Sequence, residues 1–239
     1  MDGKVRLLLL SNSTNPGEPY LGWSLPHIQR FLAGSVRRVF FVPFAGVRLT
    51  WDDYNAKVRA AFAGIGIEVA SAHESADPAA ALRRADGLVV GGGNTFHLLR
   101  LLRRSGLLES AGKAVREGMP YVGWSAGANV ACPTIMTTND MPIVDPEGLD
   151  ALGLVPFQIN PHYTDARLPG HGGETREERI LEFLEAHPEA TVVGLREGSL
   201  LRREGAELVL EGLQGARLFR HASEAVELSP GAVLSGLLA

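Results

Sequence analysis

Short apolar runs recur along the chain at positions 5–10, 39–42, 67–70, 88–90, 121–123 and 191–195, and each ends in small or polar residues. Most show no alternation of polar and apolar positions. Strands buried on both faces have this pattern, as parallel strands do when helices cover both sides of a sheet. Helical stretches lie between the runs. Thr50 precedes one at 51–63, with Asp53 as an acidic residue in its first turn. Asp77 and Pro78 open another at 79–85, with a capping side chain and a proline at the first helical position. The stretch 94–104 carries Phe96, Leu98, Leu99, Leu101 and Leu102 and ends in basic residues. Thr175-Arg176-Glu177-Glu178 reads as a capping box for a helix that runs towards 186 and stops before Pro188.

Alternating strands and helices predict an α/β fold: an open, mostly parallel sheet with helices on both faces. The end of the chain differs. Segments 200–211 and 216–221 read as strands joined by glycine turns, with no helix between them, which predicts an antiparallel C-terminal hairpin at a sheet edge. No repeat, low-complexity tract or linker divides the sequence, and 239 residues suit one domain spanning 1–239. In such sheets ligands bind beyond the carboxyl ends of the strands. The segments placed there are 11–15, 43–47, 91–95, 123–127 and 160–162.

Charge and composition narrow the picture. A net charge of −4 with no single-sign block gives no nucleic-acid face and no polybasic membrane patch. The first apolar run is too short for a signal peptide, and no stretch approaches a membrane span. One cysteine, Cys132, leaves no internal disulfide. A soluble, cytoplasmic protein is the expectation. The oligomeric state stays open, a homodimer included.

The strand-end segments hold the candidate chemistry. GWSAGAN at 123–129 follows an apolar strand, and its Gly-x-Ser-x-Gly pattern fits a nucleophile elbow, in which glycines allow a sharp strand-to-helix turn with Ser125 at its tip. An ordinary tight turn would read the same way. Gly91-Gly92-Gly93-Asn94 follows another buried strand. Its backbone N–H groups suit an oxyanion or a phosphate, although Phe96 stands where a dinucleotide fingerprint needs its third glycine.

A serine nucleophile needs a base. Of seven histidines, His27, His73, His97, His187 and His221 fall in or near helices or away from strand ends, whereas His162 follows the run 154–157 and should face the crevice. His171, in a glycine-rich loop, reads as a solvated residue or a substrate contact. For the carboxylate that orients the base, Asp140 gives the chain order Ser, Asp, His known in such triads. Glu197, Asp145 and Asp165 stand as alternatives. Cys132 lies two helical turns beyond Ser125 and reads as a small buried hydrophobe. The group His162, Asp165, His171, Glu174 lacks the i,i+4 histidine pair of common hydrolytic zinc sites, so no metal is expected.

These residues sit in blocks with a shared likeness. LLLLSNST at 7–14, VPFAGV at 42–47, TWDDY at 50–54, VVGGGNTFHLL at 89–99, GWSAGANVACPT at 123–134, TTNDMPIVDP at 137–146, INPHYTDARLPGHGGETREERI at 159–180 and GLREGS at 194–199 together resemble the peptidase E family of α-aspartyl dipeptidases. The resemblance implies a fold like that of class I glutamine amidotransferases and a serine peptidase acting on dipeptides with an N-terminal aspartate, without a cofactor. It implies Ser125 as nucleophile and His162 as base. For the third member it offers both Asp140 and Glu197, and Asp140 is placed first. Backbone N–H groups of Gly92 and Ala126 are expected to hold the oxyanion. A carboxylate side chain of the substrate needs a cation. Arg176, at the head of its helix, is the expected partner, with Arg167 and Arg196 as alternatives. Two other readings remain: a related amide or ester hydrolase, and a non-catalytic protein that holds an anion on the glycine loop.

Overall fold

The computed structural model describes residues 2–167, 170 and 172–239. Its first half alternates as expected: β1 (Arg6–Leu10), α1 (Leu25–Leu32), β2 (Arg38–Val42), α2 (Trp51–Ala63), β3 (Glu68–Ser71), α3 (Pro78–Leu82), β4 (Gly87–Val90), α4 (Thr95–Arg104), α5 (Leu107–Arg116), β5 (Tyr121–Trp124) and the short α6 (Ala126–Asn129). After a long connection come β6 (Gln158–Tyr163), α7 (Arg176–Ala186), β7 (Thr191–Arg196), β8 (Ser199–Glu204), β9 (Glu207–Gly212), β10 (Ala216–Arg220) and β11 (Val226–Leu228).

The main sheet has seven strands in the order β3-β2-β4-β5-β1-β8-β9. The first five neighbours are parallel, and β8 and β9 add an antiparallel edge. Consecutive leucines of β1 explain why its sequence does not alternate. Leu7 and Leu9 pack on one face with Leu98, Leu99 and Leu102 of α4 and Leu107 and Val115 of α5. Leu8 and Leu10 pack on the other with Ile28 and Phe31 of α1 and Val58 and Phe62 of α2. Both faces are covered, so every position is apolar.

The helix starts follow local chemistry. Thr50, Asp77, Asn94 and Thr175 each accept a hydrogen bond from a backbone N–H in the first turn of α2, α3, α4 and α7, and Thr175 with Glu178 forms the full capping box. Helices α1 and α5 were not anticipated; α1 has no side-chain cap and α5 starts from Gly106 in the left-handed region, so neither carries a start signal of that kind.

Three sequence expectations need correction. The run 154–157 is not a strand: Leu154, Val155 and Phe157 are buried in the connection before β6, and β6 itself contains His162. Second, β7 does not join the main sheet. It forms a second, four-stranded sheet, β11-β10-β7-β6, with α7 packed on it through Ile180 and Leu184. Third, 200–211 is two strands, β8 and β9, and 216–221 does not pair with them. That segment contains β10, which runs antiparallel to β7. The chain thus crosses from one sheet to the other at Glu197 and Gly198, between β7 and β8.

Candidate active site

The carboxyl ends of β1, β2, β4 and β5 meet at one cavity of about 690 Å³, lined by Asn12, Ala45, Gly92, Ser125, His162 and Glu197 among others. The segments the sequence placed at the crevice are therefore brought together there.

Ser125 sits directly after β5 with φ 54° and ψ −113°, outside the ordinary regions for an L-residue. Such a conformation costs on the order of 1–3 kcal/mol and persists only where the surroundings impose it. The surroundings are close-packed. A Cβ on Gly127 would collide with the Val90 carbonyl of β4, and one on Gly123 would collide with the Gly127 carbonyl. The serine N–H is tied to the Leu10 carbonyl at 3.0 Å. The turn is sharp because two glycines let α6 start against the sheet.

His162 also has a positive φ, 54°, and lies where the β6–β7 register shifts between Pro161 and Tyr163. An irregularity of this kind re-aims a side chain out of the strand's alternation. Ser11 secures it, accepting from the His162 N–H at 2.8 Å and donating to the Leu195 carbonyl at 2.7 Å. The imidazole Nε2 is 2.8 Å from Ser125 Oγ, and Nδ1 is 2.7 Å from Glu197 Oε1. A carboxylate accepts, so Nδ1 carries the proton and Nε2 is left to accept from the serine hydroxyl. Asn12 holds the Glu197 segment through its Oδ1, which accepts from the Gly198 N–H at 2.8 Å.

The carboxylate beside the imidazole is thus Glu197, and the placement of Asp140 first is corrected. Asp140 Oδ2 accepts instead from the Thr95 N–H, Thr95 Oγ1 and Thr138 Oγ1 at 2.7, 2.6 and 3.1 Å, at the start of α4. Asp165 is taken by Arg196 and Arg217, and Asp145 by the Glu147 N–H.

The N–H groups of Gly92, Gly93 and Ala126 make no hydrogen bond to any described residue. Gly92 and Ala126 lie beside Ser125, since a Cβ on Gly92 would stand 2.9 Å from the serine Cβ and Ala126 follows it in the chain, and Gly93 lines the same cavity. Backbone donors free of partners beside an activated hydroxyl can hold a developing oxyanion.

Arg176 does not line the Ser125 cavity. It lines a neighbouring one of about 500 Å³ together with Thr164, Arg167, Thr175 and Arg179 among others, and Thr164 connects that space to a third, which His162 and Glu197 also line. The three candidate arginines differ sharply in their partners. Arg196 is held by Asp165 and Glu227, and Arg167 reaches Glu178 at 3.9 Å. Arg176 is half-buried and has neither hydrogen bond nor ion pair among the described residues. Burial and then Arg179 depress its pKa, while Asp140 acts in the opposite direction. His171 lies outside the described residues.

Cys132 is fully buried, and burial pushes its thiol up to about 12, so it is not a nucleophile. Among the described residues no three His, Cys, Asp or Glu side chains form a group that could hold a metal. Sequence reasoning did not assign roles to Ser11 and Asn12. The signal was present: two polar residues follow four leucines and are buried at 0% and 2% exposure, which demands partners.

A serine at a strained strand–helix turn, an imidazole on its hydroxyl and a carboxylate on that imidazole define the class of serine-type hydrolases built on an α/β sheet. The chain belongs to peptidase family S51, whose model matches residues 7–210. It is 53% identical over 227 residues to peptidase E of Citrobacter koseri and 52% identical over 227 residues to peptidase E of Escherichia coli, covering 95% of this chain and 99% of each relative. A crystal structure assigned to peptidase E from Listeria monocytogenes superposes with TM-score 0.66 at 25% identity, over 88% of this chain and 99% of that one. A peptidase from an acI-B1 actinobacterium shares the fold with TM-score 0.72 at 15% identity, over 98% of both chains. The chain is a serine-type dipeptidase of this family. No helix among the described residues is long and apolar enough to cross a membrane.

Proposed function

We propose that this peptidase hydrolyses dipeptides with an N-terminal aspartate, using Ser125, His162 and Glu197. The observation that carries the assignment of roles is the continuous pair of hydrogen bonds, Ser125 Oγ to His162 Nε2 at 2.8 Å and His162 Nδ1 to Glu197 Oε1 at 2.7 Å. Ser125 Oγ bonds to the peptide carbonyl carbon as His162 takes the hydroxyl proton. The carbonyl oxygen becomes an oxyanion against the free N–H of Ala126 and of the Gly92–Gly93 loop. His162 passes its proton to the leaving amine, and the C–N bond breaks. Water, deprotonated by the same imidazole, then cleaves the ester and releases aspartate. Glu197 keeps the imidazole in the right tautomer and stabilises the imidazolium. The steps call for no metal or organic cofactor.

Arg176 is the cation assigned to the substrate's side-chain carboxylate. An unpaired, half-buried guanidinium is costly unless it meets an anion, and both alternatives, Arg167 and Arg196, already have one. The reading carries with it a cytoplasmic location, in keeping with a single buried thiol and no disulfide.

The test is hydrolysis of Asp-Leu beside Asn-Leu, Glu-Leu and Ala-Leu with chelator present. Cleavage of Asp-Leu alone by the wild type, loss of it in Ser125→Ala and loss of the aspartate preference in Arg176→Ala are expected. Cleavage by folded Ser125→Ala at the wild-type rate would refute the nucleophile. Equal turnover of Asn-Leu and Asp-Leu would refute the charge recognition.

A further inference from the structure

We propose that Tyr54 is a positioning residue for this reaction, its hydroxyl clamping the glycine loop to the nucleophile turn and so aiming the oxyanion donors. The proposal rests on the assignment of Ser125 and the free loop N–H groups above.

Tyr54 lies in the first turn of α2, is 6% exposed, and its side chain reaches the wall of the Ser125 cavity. Its hydroxyl joins two segments that touch the reacting atoms. It accepts from Trp124 Nε1 at 3.1 Å and donates to the Gly92 carbonyl at 3.0 Å. Trp124 is the residue before Ser125. Gly92 belongs to the loop whose N–H groups are free.

The geometry of a peptide makes the second bond consequential. The Gly92 carbonyl and the Gly93 N–H share one planar trans unit and point in opposite directions. A carbonyl held by Tyr54 therefore fixes the direction of the Gly93 N–H, which has no acceptor among the described residues. The loop has no side chain with which to hold itself: residues 91–93 are glycine, and a Cβ on Gly91 would press on the Tyr54 hydroxyl at 2.5 Å. Absence of side chains lets the backbone approach Ser125, and it also leaves the loop's orientation to outside bonds. Tyr54 supplies one from a rigid helix. Its ring packs edge-on against Phe41 of β2 at 5.1 Å and cannot easily swing away. Burial pushes the phenol up to about 12, so it remains a donor throughout the pH range of peptide hydrolysis.

The experiment compares wild type, Tyr54→Phe and a protein carrying 4-aminophenylalanine at position 54. Phenylalanine keeps the ring packing and removes both hydrogen bonds. 4-Aminophenylalanine restores a donor at the same place. Two rates are read: Asp-Leu hydrolysis, and covalent labelling of Ser125 by a fluorophosphonate, in which Oγ bonds to phosphorus, charge builds on the phosphoryl oxygen as fluoride leaves, and the right peptide is not needed. Removing an oxyanion donor outright costs about 100–1000-fold in kcat. Loss of its support should cost part of that, about 10–100-fold in kcat and equally in kcat/KM, with KM held within about twofold. Labelling should slow in parallel, and the amino variant should recover most of both rates.

A kcat and labelling rate within twofold of wild type for Tyr54→Phe would overturn the proposal, whatever its melting temperature. So would a change confined to KM, or a loss that 4-aminophenylalanine does not restore. If wild type labels but does not cleave Asp-Leu, the substrate assignment fails while the labelling ratio still decides the role of Tyr54.

Discussion

Ser125, His162 and Glu197 come from the ends of three strands, and each is held by backbone geometry rather than by its own flexibility. Two of the three have a feature that sequence can display. Ser125 stands in a Gly-x-Ser-x-Gly pattern whose glycines prevent collisions with Val90 and Gly127. His162 follows Asn-Pro in a polar interruption between buried segments. The third has none: nothing local to Glu197 or Asp140 marks either as the partner of an imidazole, and the contact forms 35 positions along the chain, across two strands of a sheet no sequence pattern announces. The difference in partners gives opposite expectations for the two carboxylates. Glu197→Gln should lower kcat by about 100- to 10,000-fold, since an amide cannot hold the imidazole in the productive tautomer. Asp140→Asn should leave kcat for the same substrate within several-fold. It should lower stability by roughly 1 kcal/mol, because the Thr95 N–H at the head of α4 keeps a weaker acceptor. Steady-state kinetics and thermal melting of both variants check the pair. A dead, fully stable Asp140→Asn beside an active Glu197→Gln would reverse the assignment.

At the scale of elements, start signals were legible at Thr50, Asp77 and Thr175, whereas Asn94, which caps α4, reads in the sequence only as part of the helical stretch and the glycine loop. β6 was not legible, since its sequence QINPHY contains a proline and three polar residues, Gln158, Asn160 and His162. Proline is excluded from central strands but tolerated at an edge, and β6 is the edge of the four-stranded sheet. What holds this sheet beneath His162 includes an ion cluster. Asp165, just past β6, meets Arg196 of β7 at 2.6 Å and Arg217 of β10 at 3.2 Å. Burial pushes the Asp165 carboxyl up, but the donors Arg196, Tyr163 and Arg217 outweigh it and hold the group below the usual carboxylate value. A folded pKa below the unfolded one gives stability that is present above the ordinary carboxylate range. It fades as pH falls through that range towards the folded value. Asp165→Asn should therefore melt below wild type at neutral pH, with the gap closing in acid. The carboxylate is about half exposed, with 47% of its side-chain surface accessible, so the gap at neutral pH should stay within about 1 kcal/mol, or some 2–4 °C. Melting curves from neutral pH down to about pH 3 would show a constant gap if the ion cluster contributed nothing.

At the scale of the whole molecule, the sequence gives no reason to divide the chain, yet two sheets form, and the family model ends at 210 while β10 and β11 lie beyond it. The C-terminal segment is nevertheless built into both sheets. Ala216, Leu218 and Phe219 are buried, β10 pairs along the length of β7, and the Leu234 N–H reaches back to the Leu208 carbonyl of β9 at 2.7 Å. Glu197 follows β7 directly, and the Arg196 side chain before it is fixed in part by Glu227 of β11. Removing everything after residue 215 would bare the open edge of β7, strip apolar cover from Val192 and Val193, and loosen the segment that aims Glu197. A chain ending at 215 should thus aggregate or melt without cooperativity, and it should lose hydrolysis even though Ser125 and His162 are retained. A milder cut after Leu228 keeps β10 and β11 and removes only the cover on β9. It should lower the melting temperature and spare kcat at temperatures where the protein stays folded. If the whole chain is one folding unit, far-ultraviolet circular dichroism and loss of Ser125 labelling will follow a single transition in the intact protein. Two separated transitions, with activity lost in the first, would instead make the smaller sheet an independent unit that carries the base and its carboxylate.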